Sequence, residues 1–361
     1  MGAPMDLFLP NIPPAVIGRI LLIRLRFIGD VVLTTPLIRA VRNQFPHAEL
    51  VYLAEDGPAA ILQDQPELDG VIPFERERLA KAPVITRLAA YVRFFRMLRR
   101  KRFDLVIDLF GNPRSALLTA ATGARYRVGF DVRGRGMAYN VKIRRTGSNR
   151  VTDAYLDAWR TLGFPVVDDR TCLVVGESSQ AWATNWLEAQ GLAGHWPIVG
   201  LNPGASWPAK RWRPERFAEL ADTLITRTGA KIVLLQGPNQ ETFVEATRSA
   251  MTGSTTVAPL TTLPRLAALI QKCTVCVSND SGPMHISAAV GTRTIGLFGP
   301  SKPDIWFPYP REQGHASLRP EIPACCGRDV CIRTSPCMDE LSVSRVCEAV
   351  ECSLKMAIPV Q

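Results

Sequence analysis

The sequence is poor in histidine and lacks several common active-site motifs. Only four of its 361 residues are histidines, and no His-Glu-x-x-His motif occurs, so a histidine-rich catalytic metal centre is not expected. Neither Gly-x-x-x-x-Gly-Lys-Ser/Thr nor Gly-x-Gly-x-x-Gly is present, which argues against a P-loop triphosphatase and a standard dinucleotide-binding site. Gly-x-Ser-x-Gly, the nucleophile motif of many hydrolases, is absent as well.

Long apolar segments are also missing. No uncharged apolar run reaches the length of about 18 residues that a membrane-spanning helix requires, and residues 1–6 show none of the features of a secretory signal. We therefore expect a cytoplasmic protein. Apolar residues make up 47% of the chain and charged residues 21%, as in typical globular proteins. A length of 361 residues favours two domains over one.

The positive charge is concentrated in the first half of the sequence. Residues 1–150 hold 24 Lys and Arg against 13 Asp and Glu, whereas residues 151–361 hold 19 against 20, for a net charge of +10. Val84–Phe103 contains seven basic residues, no acidic residue, and apolar residues at helical spacing. This segment predicts a helix packed on a sheet with a solvated basic face, and the same face could rest on anionic lipid or an acidic acceptor.

Short apolar runs alternate with helical patterns along both halves of the chain. Arg19–Arg24 predicts a strand and Val31–Gln44 a helix, and the alternation restarts after a weaker stretch at residues 164–179. Such alternation is typical of parallel sheets covered by helices. The predicted fold class is α/β, with two Rossmann-like doubly wound domains facing a central cleft. We place the two domains and a C-terminal helix at residues 17–170, 178–342 and 343–357.

One strand–turn–helix segment carries the strongest functional signal. Thr274–Val277 predicts a buried strand that leads to Asn279-Asp280-Ser281-Gly282, and Pro283 at the first helical position starts a helix carrying His285. The free N–H groups and positive dipole of a helix N-terminus suit a phosphate. A second strand follows and ends at Gly299. Because ligands bind at the carboxyl edge of open α/β sheets, this segment predicts a nucleotide site.

The loop Asn202–Arg213 combines a glycine, two tryptophans and a cluster of cations between a strand and a helix. A solvated basic loop is one interpretation. Its place after a strand and its Gly-Ala-Ser turn favour an anion site built from backbone amides and a lysine. Lys210 is the candidate for neutralising a diphosphate.

Residues Arg24–Asp30 lead from the first strand into the first helix. Gly29 permits a tight turn and Asp30 can cap the helix, which alone would account for the aspartate. Because Asp30 lies at a strand end, it is also a carboxylate able to take a proton from an acceptor hydroxyl. The two roles are compatible, since capping keeps the side chain ionised.

Four cysteines, Cys325, Cys326, Cys331 and Cys337, lie within thirteen residues. Their spacing differs from the paired Cys-x-x-Cys of zinc ribbons. Local packing or unpaired thiols are therefore favoured over a structural metal or a redox role.

Together these motifs resemble those of glycosyltransferase family 9, the ADP-heptose:lipopolysaccharide heptosyltransferases. The resemblance runs from about Arg19 to Val350, with the motifs in the family's order. One departure is Phe110, where many relatives carry Gln. The matching motifs are Ile28–Pro36, Asp108–Leu118, Asn202–Phe217, Asn279–His285 and Gly296–Pro300.

The resemblance implies a GT-B enzyme whose second domain holds the donor, with Asp30 as general base and Lys210 as the phosphate-binding lysine. No metal ligand is expected. With the strand-end clusters, it gives as donor-binding residues Asn202, Gly204, Ser206, Lys210, Gly237, Asp280, Ser281, Gly282, His285 and Gly299. The acceptor-binding residues expected are Gly29, Asn112 and Arg114.

The implied activity is inverting transfer of a heptose from ADP-heptose to the inner core of lipopolysaccharide, either Kdo–lipid A or a heptosyl core, without a cofactor. The implied partners are the nucleotide-sugar donor, the anionic acceptor and the anionic membrane surface at the cytoplasmic face of the inner membrane. Nucleic acid is not expected, because the positive residues lie mostly on one helix and on scattered loops, without an aromatic platform on which bases could stack. Two alternatives remain open: a family 9 transferase with a different sugar nucleotide, and a non-catalytic sugar-nucleotide-binding protein.

Overall fold

A computed structural model of the protein describes residues 16–132, 134–321, 328, 330–331 and 336–357. The chain divides after Thr171 into two compact units. Each unit has its own parallel sheet and its own apolar core. Of the four clustered cysteines, Cys331 is half-buried and Cys337 is buried, whereas Cys325 and Cys326 lie outside the described residues.

The N-terminal unit is built on a six-stranded parallel sheet. Its strands are β1 (Arg19–Ile23), β2 (Glu49–Glu55), β3 (Gly70–Phe74), β4 (Leu105–Asp108), β5 (Tyr126–Gly129) and β6 (Val141–Lys142). Its helices are α1 (Ile28–Leu33), α2 (Thr35–Gln44), α3 (Asp56–Ala59), α4 (Arg76–Lys81), α5 (Val84–Arg100), α6 (Pro113–Thr122) and α7 (Val151–Thr161). Both β1 and β4 are nearly continuous apolar runs, as expected for parallel strands covered on both faces.

The C-terminal unit repeats this architecture with a second six-stranded parallel sheet. Its helices are α8 (Glu177–Ala189), α9 (Pro214–Thr228), α10 (Glu241–Ala250), α11 (Leu263–Gln271), α12 (Gly282–Ala289), α13 (Pro303–Trp306) and α14 (Val343–Lys355). Its strands are β7 (Ile198–Asn202), β8 (Lys231–Leu234), β9 (Thr255–Val257), β10 (Val275–Asn279), β11 (Arg293–Leu297) and β12 (Ala316–Leu318).

The strand orders locate the ligand edge of each unit. The N-terminal order is β3-β2-β1-β4-β5-β6, and the C-terminal order is β12-β11-β10-β7-β8-β9. Both correspond to the doubly wound order 3-2-1-4-5-6, in which the winding reverses between the first and fourth strands. The reversal points lie between β1 and β4 and between β7 and β10. The predicted α/β class with two doubly wound domains is thus confirmed, and ligands are expected outside the carboxyl ends of these four strands.

The predicted helix Val31–Gln44 is wrong in its start and its continuity. The structure has α1 from Ile28 and α2 from Thr35, with a break at Thr34. Pro36 explains the break, because it has no N–H to donate to the carbonyl four residues earlier. The Thr35 hydroxyl donates to that carbonyl instead, at 2.8 Å.

The start of α12 also differs from the sequence prediction. The helix begins at Gly282, so Pro283 is its second residue and not its first. Proline is tolerated there because the N–H groups of a first helical turn have no partner within the helix.

Helix α14 completes the core of the C-terminal unit. Its buried residues Val346 and Val350 belong to the same apolar cluster as Val277 in β10 and the fully buried Trp212. The Trp212 indole N–H donates to the carbonyl of Leu341, two residues before α14, at 3.0 Å. The segment is therefore an integral part of this unit.

The basic helix α5 packs on the sheet mainly through its second half. Leu98 is buried, and Phe94 and Phe95 pack against the N-terminal core. In the first half, Ile85 is 85% exposed and Leu88 64% exposed, so the expected apolar packing does not extend over the whole helix. No helix in the described part of the chain combines the length and the apolar character needed to cross a membrane.

Candidate active site

Asp30 lies just beyond the carboxyl end of β1, next to the N-terminal reversal point. It is the third residue of α1, and its side chain is buried. Asp30 Oδ2 accepts from the backbone N–H of Phe27, the residue preceding the helix, at 3.1 Å. Asp30 therefore caps the first turn from inside the helix, not from the N-cap position that the sequence predicted. Gly29 is buried beside it in the same turn.

The other carboxylate oxygen of Asp30 is held by two side chains. Arg24 Nη2 lies 2.5 Å from Asp30 Oδ1, and the Tyr155 hydroxyl donates to the same oxygen at 2.6 Å. Arg24 Nε also donates to the Tyr155 oxygen at 3.1 Å. Three buried polar groups thus form a closed network around Oδ1. Sequence reasoning missed Tyr155, because it lies 125 residues from Asp30 on α7.

Burial and neighbouring charges set the protonation of Tyr155 and Arg24. Burial raises the pKa of Tyr155 well above its usual range, and the neighbouring Asp30 raises it further. Burial lowers the pKa of Arg24, but its interactions with Tyr155 and Asp30 raise that pKa by more. The pKa of Arg24 is therefore raised overall. Tyr155 therefore remains a protonated donor and Arg24 a cation around neutral pH.

The segment after β4 forms the other side of the same reversal point. Asp108 is fully buried, and its Oδ1 accepts from the N–H groups of Phe110 at 2.9 Å and Gly111 at 3.1 Å. Burial raises the pKa of Asp108, against the opposing effect of these hydrogen bonds. Asn112 caps α6, with its Oδ1 accepting from Ser115 N at 2.8 Å. Asn112 was predicted to bind the acceptor, but its side-chain oxygen already accepts the hydrogen bond that caps α6.

Arginines gather around Glu55 at the carboxyl end of β2. The predicted acceptor residue Arg114 has Nη1 3.9 Å from Glu55 Oε1, and Arg76 Nη1 lies 3.7 Å from Oε2. Burial raises the pKa of Glu55, while Arg76, Arg26 and Arg114 act in the opposite direction. Three arginines face two carboxylates, those of Glu55 and the neighbouring Asp56, which leaves a positive surplus at this edge.

Asn202 joins the two central strands of the C-terminal sheet. It ends β7 and is buried. Its Nδ2 donates to Ser278 Oγ at 2.9 Å and to Ser281 Oγ at 3.0 Å, both in or after β10. Its Oδ1 is buried and has no hydrogen-bond partner among the residues described. Asn202 thus holds the turn after β10 in place.

Lys210 lies at the same reversal point, paired with Asp280. It ends a short 3-10 turn, and its Nζ lies 2.7 Å from Asp280 Oδ2 and 4.8 Å from the centroid of the Trp207 ring. Asp280 Oδ2 also accepts from the hydroxyl of Ser301, which follows β11. Lys210 is therefore half-buried, and its ammonium group is held in place by Trp207 and by Asp280, whose negative charge balances its own.

Helix α12 starts at this point with an open first turn. Its N-cap residue Ser281 makes no side-chain capping bond: its hydroxyl donates to the carbonyl of Asn279 at 3.1 Å, and its oxygen accepts from Asn202 Nδ2 at 3.0 Å. The Gly282 amide follows directly. Unpaired N–H groups at a helix start are suited to bind an anion.

The remaining predicted donor residues lie in different local surroundings. A Cβ on Gly204 would lie 2.2 Å from Gln240 Oε1, and Gly237 N donates to that oxygen at 3.3 Å. A Cβ on Gly299 would lie 2.6 Å from the carbonyl oxygen of Ala209, so packing alone requires glycine there. Ser206 is exposed.

His285 is buried in α12, and its Nδ1 lies 2.7 Å from the Tyr309 hydroxyl. This contact directs the imidazole toward an aromatic cluster formed with Phe307 and His315. Across the described residues, no group of three or more His, Cys, Asp or Glu side chains is arranged to hold a metal ion.

Comparisons with known proteins identify the family of this fold and site. The model of Glycosyltransferase family 9 (heptosyltransferase) matches residues 91–333. Lipopolysaccharide heptosyltransferase 3 of Escherichia coli is 27% identical over 294 residues, covering 79% of this chain and 84% of that protein. The crystal structure of the glycosyl transferase family 9 from Veillonella parvula has a TM-score of 0.82 at 27% identity, covering 94% and 97% of the two chains.

A further solved structure supports the fold assignment. The E. coli ADP-heptose LPS heptosyltransferase II matches with a TM-score of 0.73 at 24% identity, covering 93% of this chain and 98% of that one. The family model spans the greater part of the chain and includes the turn after β10. The protein is therefore a glycosyltransferase, and it belongs to glycosyltransferase family 9.

Proposed function

We propose that this protein transfers a heptose from ADP-heptose to the inner core of lipopolysaccharide. The observation that carries the proposal is the turn after β10, where Lys210 and the open start of α12 meet at a reversal point. The names of its relatives, lipopolysaccharide heptosyltransferase 3 and ADP-heptose LPS heptosyltransferase II, support heptose as the sugar and ADP as the leaving group.

We assign donor binding to the C-terminal domain, residues 178–342, completed by 343–357. The diphosphate is bound by Lys210 and by the amides near Ser281 and Gly282. As the sugar–oxygen bond breaks, negative charge grows on the terminal phosphate oxygen. A fixed cation and helix N–H groups stabilise that charge more than they stabilise the ground state.

We assign acceptor binding to the N-terminal domain, residues 17–170. Asp30 takes the proton of the acceptor hydroxyl, and the freed electron pair forms the bond to the anomeric carbon. The bond from that carbon to the ADP oxygen breaks at the same time, so a single displacement inverts the anomeric configuration. Arg76 and Arg114 supply positive charge for the phosphates and carboxylates of a lipopolysaccharide core.

A donor screen tests this function. Purified enzyme should transfer sugar from ADP-heptose to a deep-core acceptor at a rate at least about 100-fold above that with UDP-, GDP- or other ADP-sugars, because specificity is set by differential transition-state binding. Turnover is followed by mass spectrometry of the acceptor. Preferential use of another nucleotide sugar would reassign the donor, and binding of ADP-heptose without turnover on any core acceptor would favour a non-catalytic protein.

The first half of α5 supports a further assignment, contact with the anionic surface of the inner membrane at its cytoplasmic face. Ile85, Leu88 and Val92 follow helical spacing on one face and are exposed. Exposed Arg93 and Arg96 lie in the next turns. An exposed apolar face with flanking arginines is typical of helices that lie in a membrane interface. The positive charge of residues 1–150 complements anionic lipid.

Vesicle binding tests the membrane assignment. The double substitution Ile85→Ser/Leu88→Ser should weaken binding to phosphatidylglycerol/phosphatidylethanolamine vesicles by about tenfold or more, because insertion loses about 0.8 kcal/mol per buried CH₂. Val167→Ser/Leu260→Ser removes two apolar side chains that are also exposed but lie elsewhere, and it should leave binding unchanged. Equal co-sedimentation of the wild type with phosphatidylcholine and with anionic vesicles would contradict the assignment.

A further inference from the structure

The two carboxylate oxygens of Asp30 differ in the number of hydrogen bonds that they accept. Each oxygen of an ionised carboxylate has room for about two hydrogen bonds. Oδ1 receives both of its bonds from Arg24 Nη2 and the Tyr155 hydroxyl, at 2.5 and 2.6 Å. Oδ2 receives one bond, from Phe27 N at 3.1 Å. Among the described contacts of Asp30, only Oδ2 keeps an open position.

We propose that Asp30 accepts the acceptor proton on Oδ2, and that Arg24 and Tyr155 are positioning residues that hold the carboxylate in this orientation. The proposal rests on the proposed function and specifies the base at the level of one atom. Both act on the reaction through Asp30, because Arg24 Nη2 and the Tyr155 hydroxyl are directed at its Oδ1.

Phe110 contributes to the same arrangement by holding Arg24. The guanidinium carbon of Arg24 lies 4.3 Å from the centroid of the Phe110 ring, within the range of a cation–π contact. Arg24 Nη1 is buried and has no hydrogen-bond partner in the described part of the chain. Phenylalanine offers no acceptor, so Nη1 is unsatisfied and Nη2 and Nε carry the polar contacts. Phe110, the departure from the family's motif, therefore bears on Asp30 and on the arginine that holds it.

The Tyr155→Phe variant removes one donor from Oδ1 and keeps the ring that packs near Arg24. We expect kcat to fall about tenfold, which corresponds to about 1.4 kcal/mol. KM for donor and acceptor should stay within about twofold, because Tyr155 does not contact either substrate. A structural role alone would not separate kcat from KM in this way.

Tyr52→Phe is the matched control. Tyr52 is equally buried in the same domain, but its hydroxyl bonds to Thr34 Oγ1 at 2.7 Å and not to Asp30. Its kcat should stay within about twofold of the wild type. Equal losses of kcat in the two variants, or a rise in KM in place of a fall in kcat for Tyr155→Phe, would overturn the proposal.

Arg24→Lys provides a second variant, because it keeps the charge but lacks the planar fork that reaches both Asp30 and Tyr155. Its kcat should fall by at least about tenfold with KM unchanged. A wild-type kcat in this variant would remove Arg24 from the positioning role.

A spectroscopic measurement separates the proposal from the choice of substrate. The ¹³C resonance of the Asp30 carboxyl, assigned by its loss in Asp30→Asn, should move in Tyr155→Phe and stay in place in Tyr52→Phe. No movement in Tyr155→Phe would overturn the positioning role even if the wild type transfers heptose. Movement in a protein that transfers no heptose would support the positioning role and contradict the proposed function.

Discussion

Replacing Asp30 with Asn should lower kcat for heptose transfer by about 1,000-fold and change the Kd for ADP by less than about twofold. A carboxamide cannot accept the acceptor proton, and a positioned base contributes about 10²- to 10⁴-fold to rate. ADP binding should persist, because the residues assigned to the diphosphate lie in the other domain. Rates are measured by product formation at saturating substrates, and Kd by titration calorimetry. Comparable losses of turnover and ADP affinity would contradict a role limited to catalysis.

This substitution also removes the negative charge that compensates a buried cation. Losing one partner of a buried ion pair costs about 3–5 kcal/mol, so folding must be checked by thermal unfolding before rates are compared. Asp104→Asn is the matched control. Asp104 precedes β4 at the opposite edge of the same sheet, where its Oδ2 accepts from Gly18 N and Arg19 N, both at 2.9 Å. It should lose stability and keep kcat within about twofold.

Replacing Lys210 with Met should raise the Kd for ADP about 100-fold, which corresponds to about 2.8 kcal/mol. The expected effect exceeds that of a single lost cation. Lys210 compensates Asp280, which is 6% exposed. Without the lysine, an uncompensated carboxylate remains beside the position assigned to the diphosphate, so repulsion is added to the loss of attraction. Titration of ADP into the variant measures the change.

Lys231→Met is the control for this prediction. Lys231 is half-buried like Lys210, but it begins β8 at the amino edge of the same sheet. It removes the same charge from the same domain and should leave the Kd for ADP within about twofold. An unchanged Kd in Lys210→Met, or equal changes in the two variants, would count against the diphosphate assignment.

The parts of the fold that could be predicted from sequence are those in which local pattern and burial agree. Strands β1, β4, β7 and β10 are short apolar runs at the centre of the sheets, and each is followed by a polar turn. These four strands define both reversal points. The predicted site residues Asp30, Asn202 and Asp280 lie at the ends of such strands or in the segments that follow them.

The edge strands gave no comparable signal. All three residues of β9 and of β12 are half-buried, and β6 has two residues. Such segments lack the continuous apolar run of a central strand, and pairing with a neighbour stabilises them more than their own propensity does.

The contacts within the sites could be predicted least. Tyr155 lies 125 residues from Asp30, and Asn202 lies 76 residues from Ser278. Only the packed structure brings such pairs together, and no spacing in the sequence records them. Gly299 shows that a glycine in a predicted site can have a purely structural reason. The sequence pattern suggested a ligand contact, whereas the nearby carbonyl of Ala209 already excludes a side chain there.

The place of α14 in the second core has a consequence for synthesis on the ribosome. The N-terminal unit has all its described elements by Thr161, so it can fold while most of the second unit is still untranslated. The second unit cannot complete the apolar cluster that contains Trp212 until Val346 and Val350 have emerged. During that interval its nascent core is open to solvent. Chaperone demand and sensitivity to premature termination should therefore be concentrated in the C-terminal half of the nascent chain.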